Sequence, residues 1–204
     1  MSVQPQEFAK TKIIRGAMAA FVTHGFDRLT MGQIATICGL TRRALYHHFS
    51  SKEELFRAVI KLGNVTALEK GEVAARALLD SGASALDVIA GWFDVRFGDV
   101  RRRVHDSPHG AALNEMAFRL ATDIMIEVSY DTNRNVAELL VELERRGLLV
   151  LRKDMPVERA ARLLGDGARG VNQARPPIPS SQIARHYREM TEAVLYGCAA
   201  LPDA

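Results

Sequence analysis

Between positions 42 and 52 the chain gathers Arg42, Arg43, Tyr46, His47, His48 and Lys52. On a helix, Arg42 and Tyr46 lie four apart on the outer side, as do Arg43 and His47, while Leu45 and Phe49 point inward. Such a face offers hydrogen bonds and positive charge, not bond-breaking chemistry. The paired imidazoles of His47 and His48 invite a metal reading. Successive helical residues point about 100° apart, however, and do not readily share one ion. His105 and His109 are also four apart, but Pro108 between them undermines a regular helix, and a metal site needs more ligands than this pattern supplies. Cys38 and Cys198 stand far apart without paired spacing, so neither a disulfide framework nor a zinc site is indicated and a reducing compartment fits. Cys38 reads as a small buried hydrophobe. No nucleophile motif or phosphate loop occurs, so the expectation is no enzyme and no cofactor.

These side chains need elements to position them, and helical periodicity dominates the chain. Ile14, Ala17, Met18 and Phe21 form one apolar stripe on a first helix from about Phe8 to His24, with Gly25 at its end. Thr30 to Gln33 matches a capping box and opens a short second helix that stops at Gly39. Thr41 caps a third helix to Phe49. Ser51 to Glu54 reads as another capping box, opening a fourth helix to about Leu68 that Gly63 and Asn64 can perturb. Further helices are expected over 83–100, 111–130 and 132–146, the last two either separate or continuous. A break falls at 101–110, and a β-like connector at Leu148 to Leu151. Another helix runs from Asp154 and Pro156 to about Asn172. The prolines at 176, 177 and 179 make a linker, and Ser180 caps a final helix ending near Gly197.

Two short helices meeting at Gly39-Leu40-Thr41, with a third bracing them, make a helix-turn-helix. Its second helix fits a major groove, N-terminal residues toward base edges and flanks toward phosphates. The run Thr30 to Ala35, Gly39 to Phe49 and Ser51 to Leu55, with Ile14, Ala17, Phe21 and Gly25 before it, closely resembles the DNA-binding domain of the TetR family of regulators over about residues 8–60. The Leu-Tyr-x-His-Phe run followed by Lys-Glu is far more diagnostic than a generic helix-turn-helix. The resemblance implies that Thr30 and Gln33 meet phosphate, that Arg42, Arg43 and His47 read bases beside Thr41, that Tyr46 and His48 bond phosphate oxygens, and that Lys52 adds charge. The family usually has a small or polar residue at one of the two arginine positions, so which arginine reads bases and which grips the backbone stays open.

Charge agrees with this arrangement. Residues 1–64 hold nine basic and four acidic residues, while the remainder is slightly acidic under a net charge of +3; a basic third on a near-neutral body suits a polyanion partner. With 48% hydrophobic residues the chain can bury a sizeable core. Met1 to Lys10 is polar, without a signal core, and no apolar run is long enough to span a bilayer, so a soluble cytoplasmic protein is expected. The expected fold is all-α: a helix-turn-helix DNA-binding domain over residues 1–52, then a helical ligand-binding and dimerisation domain over residues 53–204. A pocket for a small organic effector is expected among Trp92, Phe93, Phe97, Met116, Phe118 and Met125, with Arg96, Arg119, Asp123 or Glu127 as polar anchors. TetR-like proteins dimerise through their last two helices. Leu164, Ala168, Val171, Tyr187, Met190 and Val194 form stripes suited to that role, though packing within one subunit stays open. The function implied is a ligand-responsive regulator, most simply a repressor, bound to a palindromic operator as a homodimer, with no membrane partner. The alternative is a ligand-binding or interaction module of the same fold without sequence-specific DNA binding.

Overall fold

The computed structural model describes residues 5–105 and 107–197. Met1–Gln4 and Cys198, weighed in the sequence, lie outside the described residues. Every regular element among the described residues is helical: α1 (Pro5–His24), α2 (Met31–Ile37), α3 (Arg42–His48), α4 (Lys52–Asp80), α5 (Ala85–Phe93), a π-helical turn (Asp94–Gly98), α6 (Asp99–His105), α7 (Gly110–Leu120), α8 (Thr122–Arg145), α9 (Val157–Asn172), a 3₁₀ turn (Ser180–Gln182) and α10 (Ile183–Tyr196). None is long and apolar enough to cross a membrane. The chain forms two compact units. Unit 1 holds the residues to Val65 with Arg103–Ile126, and unit 2 holds Thr66–Arg102 with the residues from Glu127. Residue 52, where the sequence reading divides the chain, is the first residue of α4.

Unit 1 is built on the stripe of α1. Ala17, Ala20 and Phe21 are almost completely buried and pack with Ile34, Ala35, Leu45, Phe49, Leu55 and Phe56, joined by Leu113, Met116 and Ala117 of α7. The rings of Phe21, Phe26 and Phe56 meet pairwise with centroids 5.0–5.5 Å apart, within the range of favourable edge and tilted ring pairs. The chain turns out of α1 at Gly25, whose φ of +81° an L side chain resists; the Gly25 N–H donates to the Phe21 carbonyl at 2.8 Å. Unit 2 packs Val88, Ile89, Trp92 and Phe93 of α5 against Val136, Leu140 and Leu143 of α8, Ala161, Leu164 and Ala168 of α9, and Ile183 and Tyr187 of α10.

Several boundaries differ from the sequence reading, each for a local reason. α4 continues through Gly63 and Asn64 to Asp80 because Leu68, Ala75 and Leu79 keep an apolar stripe facing the unit 2 core. That burial outweighs the roughly 1 kcal/mol that a helical glycine costs. The second capping box is half formed. The Ser51 hydroxyl accepts from the Glu54 N–H, but the Glu54 carboxylate reaches back to the N–H and hydroxyl of Ser50 at 2.7 and 2.6 Å. The expected helix over 111–130 breaks at Ala121 (φ −137°, ψ 31°), and the freed Leu120 carbonyl accepts from Arg57 at 2.6 Å. The helix expected over 83–100 starts one residue after Ser84, its N-cap, and reaches His105 through the π turn. The Leu148–Leu151 stretch is irregular rather than extended strand. Ser180 opens the 3₁₀ turn, and Gln182 caps α10.

Candidate nucleic-acid interface

α2 and α3 are each seven residues long, too short to be stable alone. Their ends are therefore held by local bonds. At the start of α2 the Thr30 hydroxyl accepts from the Gln33 N–H at 3.3 Å, and the Gln33 amide oxygen accepts from the Thr30 N–H at 2.9 Å. At its end Gly39 takes φ +69°, letting its N–H reach the Thr36 carbonyl and the Leu40 N–H reach the Ala35 carbonyl; this is a Schellman stop. α3 restarts two residues later with the Thr41 hydroxyl accepting from the Ala44 N–H at 3.1 Å. Leu45, fully buried, and Phe49, 1% exposed, pin α3 to the core from one side.

The opposite side of α3 is thereby turned to solvent. Thr41, Arg42, Arg43, Tyr46 and His47 are all exposed, and His48 is half-buried. The Arg42 guanidinium lies 5.4 Å from the centre of the Tyr46 ring, and the His47 and His48 rings meet edge to face at 5.4 Å. Neither Arg42 nor Arg43 makes an ion pair with a carboxylate among the described residues. Thr30 and Gln33 are exposed at the start of α2 while capping each other. The structure thus brings Thr30, Gln33, Thr41, Arg42, Arg43, Tyr46, His47 and His48 onto the two helices of the motif.

Lys52 is placed differently. Its ammonium donates to the carbonyls of Phe26 and Leu29, both at 2.9 Å, and stands 4.2 Å from the centre of the Phe26 ring. It staples the α1–α2 loop to the start of α4, so its first role is structural. Lys10, which the motif does not contain, stands exposed with its ammonium 5.2 Å from the Phe49 ring centre, adding positive charge from α1 beside the end of α3. Only the basic N-terminal composition hints at it. Cys38 is half-buried at the end of α2, and burial pushes its thiol pKa up, away from reactivity.

The expected pocket residues divide between the units. Trp92, Phe93 and Arg96 are buried and Phe97 half-buried in unit 2. Met116 belongs to the unit 1 core, Arg119 is exposed with Nη2 3.1 Å from the Met116 sulfur, and Asp123 is bonded in a fork to Arg57 at 2.6 and 2.7 Å. That pairing holds the Asp123 carboxyl down at about 2. An open apolar groove of about 370 Å³ lies elsewhere in unit 2, between Val73, Ala74 and Ala77 of α4 and Val95. Of the expected dimer stripe, Leu164, Ala168 and Tyr187 are completely buried within the chain's own core, where α9 and α10 pack together. Val171 and Met190 are half-buried, and Val194 is exposed. An amphipathic stripe shows that a face is covered, not by which chain.

An all-helical chain with a capped, solvent-facing α3 behind a glycine turn defines a helix-turn-helix protein. Residues 13–59 match the family of bacterial regulatory proteins, tetR family. Two curated relatives extend over most of the chain. YfiR of Bacillus subtilis, an HTH-type transcriptional regulator, is 28% identical over 91% of this chain and 78% of its own length. KstR2 of Mycobacterium tuberculosis, an HTH-type transcriptional repressor, is 25% identical over 86% of this chain and 87% of its own. The crystal structure of FadR from Bacillus subtilis in complex with stearoyl-CoA has the same fold, with a TM-score of 0.65 at 15% identity, covering 93% of this chain and 99% of FadR. The chain belongs to the TetR family of transcriptional regulators, an assignment carried by the domain at residues 13–59.

Proposed function

We propose that this protein is a cytoplasmic repressor that binds a palindromic operator as a homodimer and is released by a small organic effector. The observation that carries the reading is the outward face of α3: Arg42, Arg43, Tyr46 and His47 are exposed together on a helix whose other face is locked into the core by Leu45 and Phe49. A guanidinium there can make two parallel bonds to a guanine edge, worth about 1–3 kcal/mol of discrimination. Thr30, Gln33, Tyr46 and His48 are suited to phosphate oxygens flanking those bases. Reading a palindrome requires two such helices about one turn of DNA apart, hence two chains. The exposed apolar residues Leu163, Val194 and Tyr196 on α9 and α10 are available for that pairing. The name of KstR2 as a repressor and the acyl-CoA held by FadR support repression and an organic effector for this chain.

The test is selection of bound duplexes from a random pool by the purified protein at fixed salt. A two-fold symmetric consensus is expected. Arg42→Ala should relax one position of each half-site by about tenfold or more, consistent with loss of 1–3 kcal/mol. Enrichment of no consensus, with only weak salt-sensitive binding, refutes sequence-specific regulation.

A further inference from the structure

Unit 2 buries two arginines, a residue type that rarely leaves water. Arg96 is 2% exposed and Arg101 8%. Both are placed by the π turn at Asp94–Gly98. In an uninterrupted α-helix the inward positions after Trp92, Phe93 and Arg96 would be 100 and 103. The extra residue of the π turn brings Arg101 inward instead and leaves Arg103 exposed. Such turns are rare and concentrate at functional sites. Arg101 then serves the fold by donating to the carbonyls of Asn172 and Ile178, which fastens the end of α9 and the segment after it. Arg96 is aimed into an aromatic setting. Its guanidinium lies 4.5 Å from the centre of the Phe97 ring, inside the packed group of Phe93, Phe97 and Tyr187, whose centroids are 6.2–6.4 Å apart.

α10 faces this group with polar atoms that serve no bond in the fold. Tyr187 and, one turn on, Thr191 are both 0% exposed, and neither hydroxyl has a hydrogen-bond partner among the described residues. Leaving a buried hydroxyl unsatisfied is unfavourable, and a phenylalanine would fill the same space. The nearby acids are engaged: Asp94 and Asp99 bind Arg102, both at 2.7 Å, and Asp131 binds Arg134. Burial lowers the Arg96 pKa to about 10, while Asp131 and Tyr187 act to raise it. A carboxylate arriving here would meet a cation in a low-dielectric setting, where charge-assisted bonds are strongest.

We propose that the Arg96 guanidinium and the Tyr187 hydroxyl form the headgroup site for an organic carboxylate, whose apolar body lies against Phe93 and Phe97. The proposal rests on the repressor reading insofar as it names the chemical class of that repressor's effector. One planar fork and one hydroxyl match the two oxygens and single charge of a carboxylate. A phosphate dianion would bury a second negative charge that this set does not answer.

Trp92, the one tryptophan of the chain, is buried one turn before Arg96 with its ring 5.3 Å from that of Phe93, so its fluorescence reports on this interior. The test titrates the full chain with two matched pairs, octanoate against octanamide and 4-phenylbutanoate against its amide. At least one carboxylate is expected to perturb Trp92 with a Kd tenfold or more below that of its amide. Arg96→Gln should reduce that ratio below about twofold while circular dichroism shows the helices intact. Tyr187→Phe gives a second arm that survives any failure of Arg96→Gln to fold: it should weaken carboxylate binding and leave the melting temperature unchanged or higher, whereas a structural hydroxyl would lower it. No preference in either pair, a preference that persists in Arg96→Gln, or a lower melting temperature in Tyr187→Phe overturns the proposal. The random-duplex selection reads the repressor function separately. A protein that selects a palindrome but ignores both carboxylates keeps the function and loses this site.

Discussion

Lys52→Met separates two roles that one side chain can serve. The family resemblance assigns Lys52 to DNA, whereas the structure commits its ammonium to the Phe26 and Leu29 carbonyls at 2.9 Å and to the face of the Phe26 ring. Hydrogen bonds involving a charged group contribute about 1.5–3 kcal/mol each, and a cation over a ring about 0.5–2 kcal/mol. Methionine keeps the aliphatic stem, and the released carbonyls recover some water, so the net loss should be about 2–3 kcal/mol. At about 2–4 °C per kcal/mol for a chain of this size, the melting temperature should fall by about 5–10 °C. In urea the midpoint should fall by about 1 M at an m-value of about 2–3 kcal/mol/M. The paired assay is the salt dependence of affinity for the selected duplex. A phosphate contact would flatten the log–log salt slope by about one unit while stability stayed within about 0.5 kcal/mol. Flattened slope with unchanged melting would refute the staple and restore Lys52 to the interface.

Two further outcomes follow from single positions. Gly39→Ala places a Cβ at φ +69° with no atom within 4 Å, so its effect is backbone strain alone; about 1–2 kcal/mol should be lost, and a melting temperature equal to or above that of the parent would contradict the left-handed turn. Asp123 should titrate at about 2, and Arg57→Gln should return it toward the ordinary value near 4. Because the folded pKa is depressed, this ion pair favours the fold above the ordinary carboxylate range and ceases to do so as pH falls toward 2. A carboxyl carbon resonance that titrates near 4 in the parent protein would show that the Arg57 fork does not persist in solution.

What was legible in the sequence was whatever acts within about four residues. Thr30 with Gln33, Thr41 with Ala44, and the stop at Gly39 each close a bond over a single helical turn, and the inward set of Leu45 and Phe49 follows from spacing alone. What was hidden joins distant segments. Lys52 meets carbonyls 23 and 26 residues earlier, Arg57 meets Asp123 66 residues later, and Lys10 stands by Phe49. Glu54 chose Ser50 over Ser51 because both offer similar donors one position apart, a choice settled by geometry rather than residue type. The stripes of α9 and α10 were visible as apolar faces. That Leu164, Ala168 and Tyr187 are covered by their own chain depends on how α5, α8, α9 and α10 pack, which period and polarity do not encode.

The distribution of helices between the units bears on how an effector could act. α4, α6 and α8 each run from one unit into the other without a break. Helices resist bending because every interior residue is tied by its own hydrogen bond, so a shift at one end is carried along the axis rather than absorbed. Within unit 1, α4 and the start of α8 are bound to each other by the Arg57–Asp123 fork, and the same guanidinium holds the last carbonyl of α7. Arg57 and Asp123 are substantially exposed, at 38% and 67% of their side-chain surface. Exposed pairs contribute little to global stability and are screened by salt. On the repressor reading that weakness is functional: a latch that held α4 strongly would raise the energy an effector must supply, and couplings of about 1–3 kcal/mol leave little room for that. The Phe21–Phe26–Phe56 group, by contrast, locks the first turns of α4 to α1 in the core. Displacement of α4 should therefore carry the helix-turn-helix as one body, with the polar fork yielding before the aromatic core does.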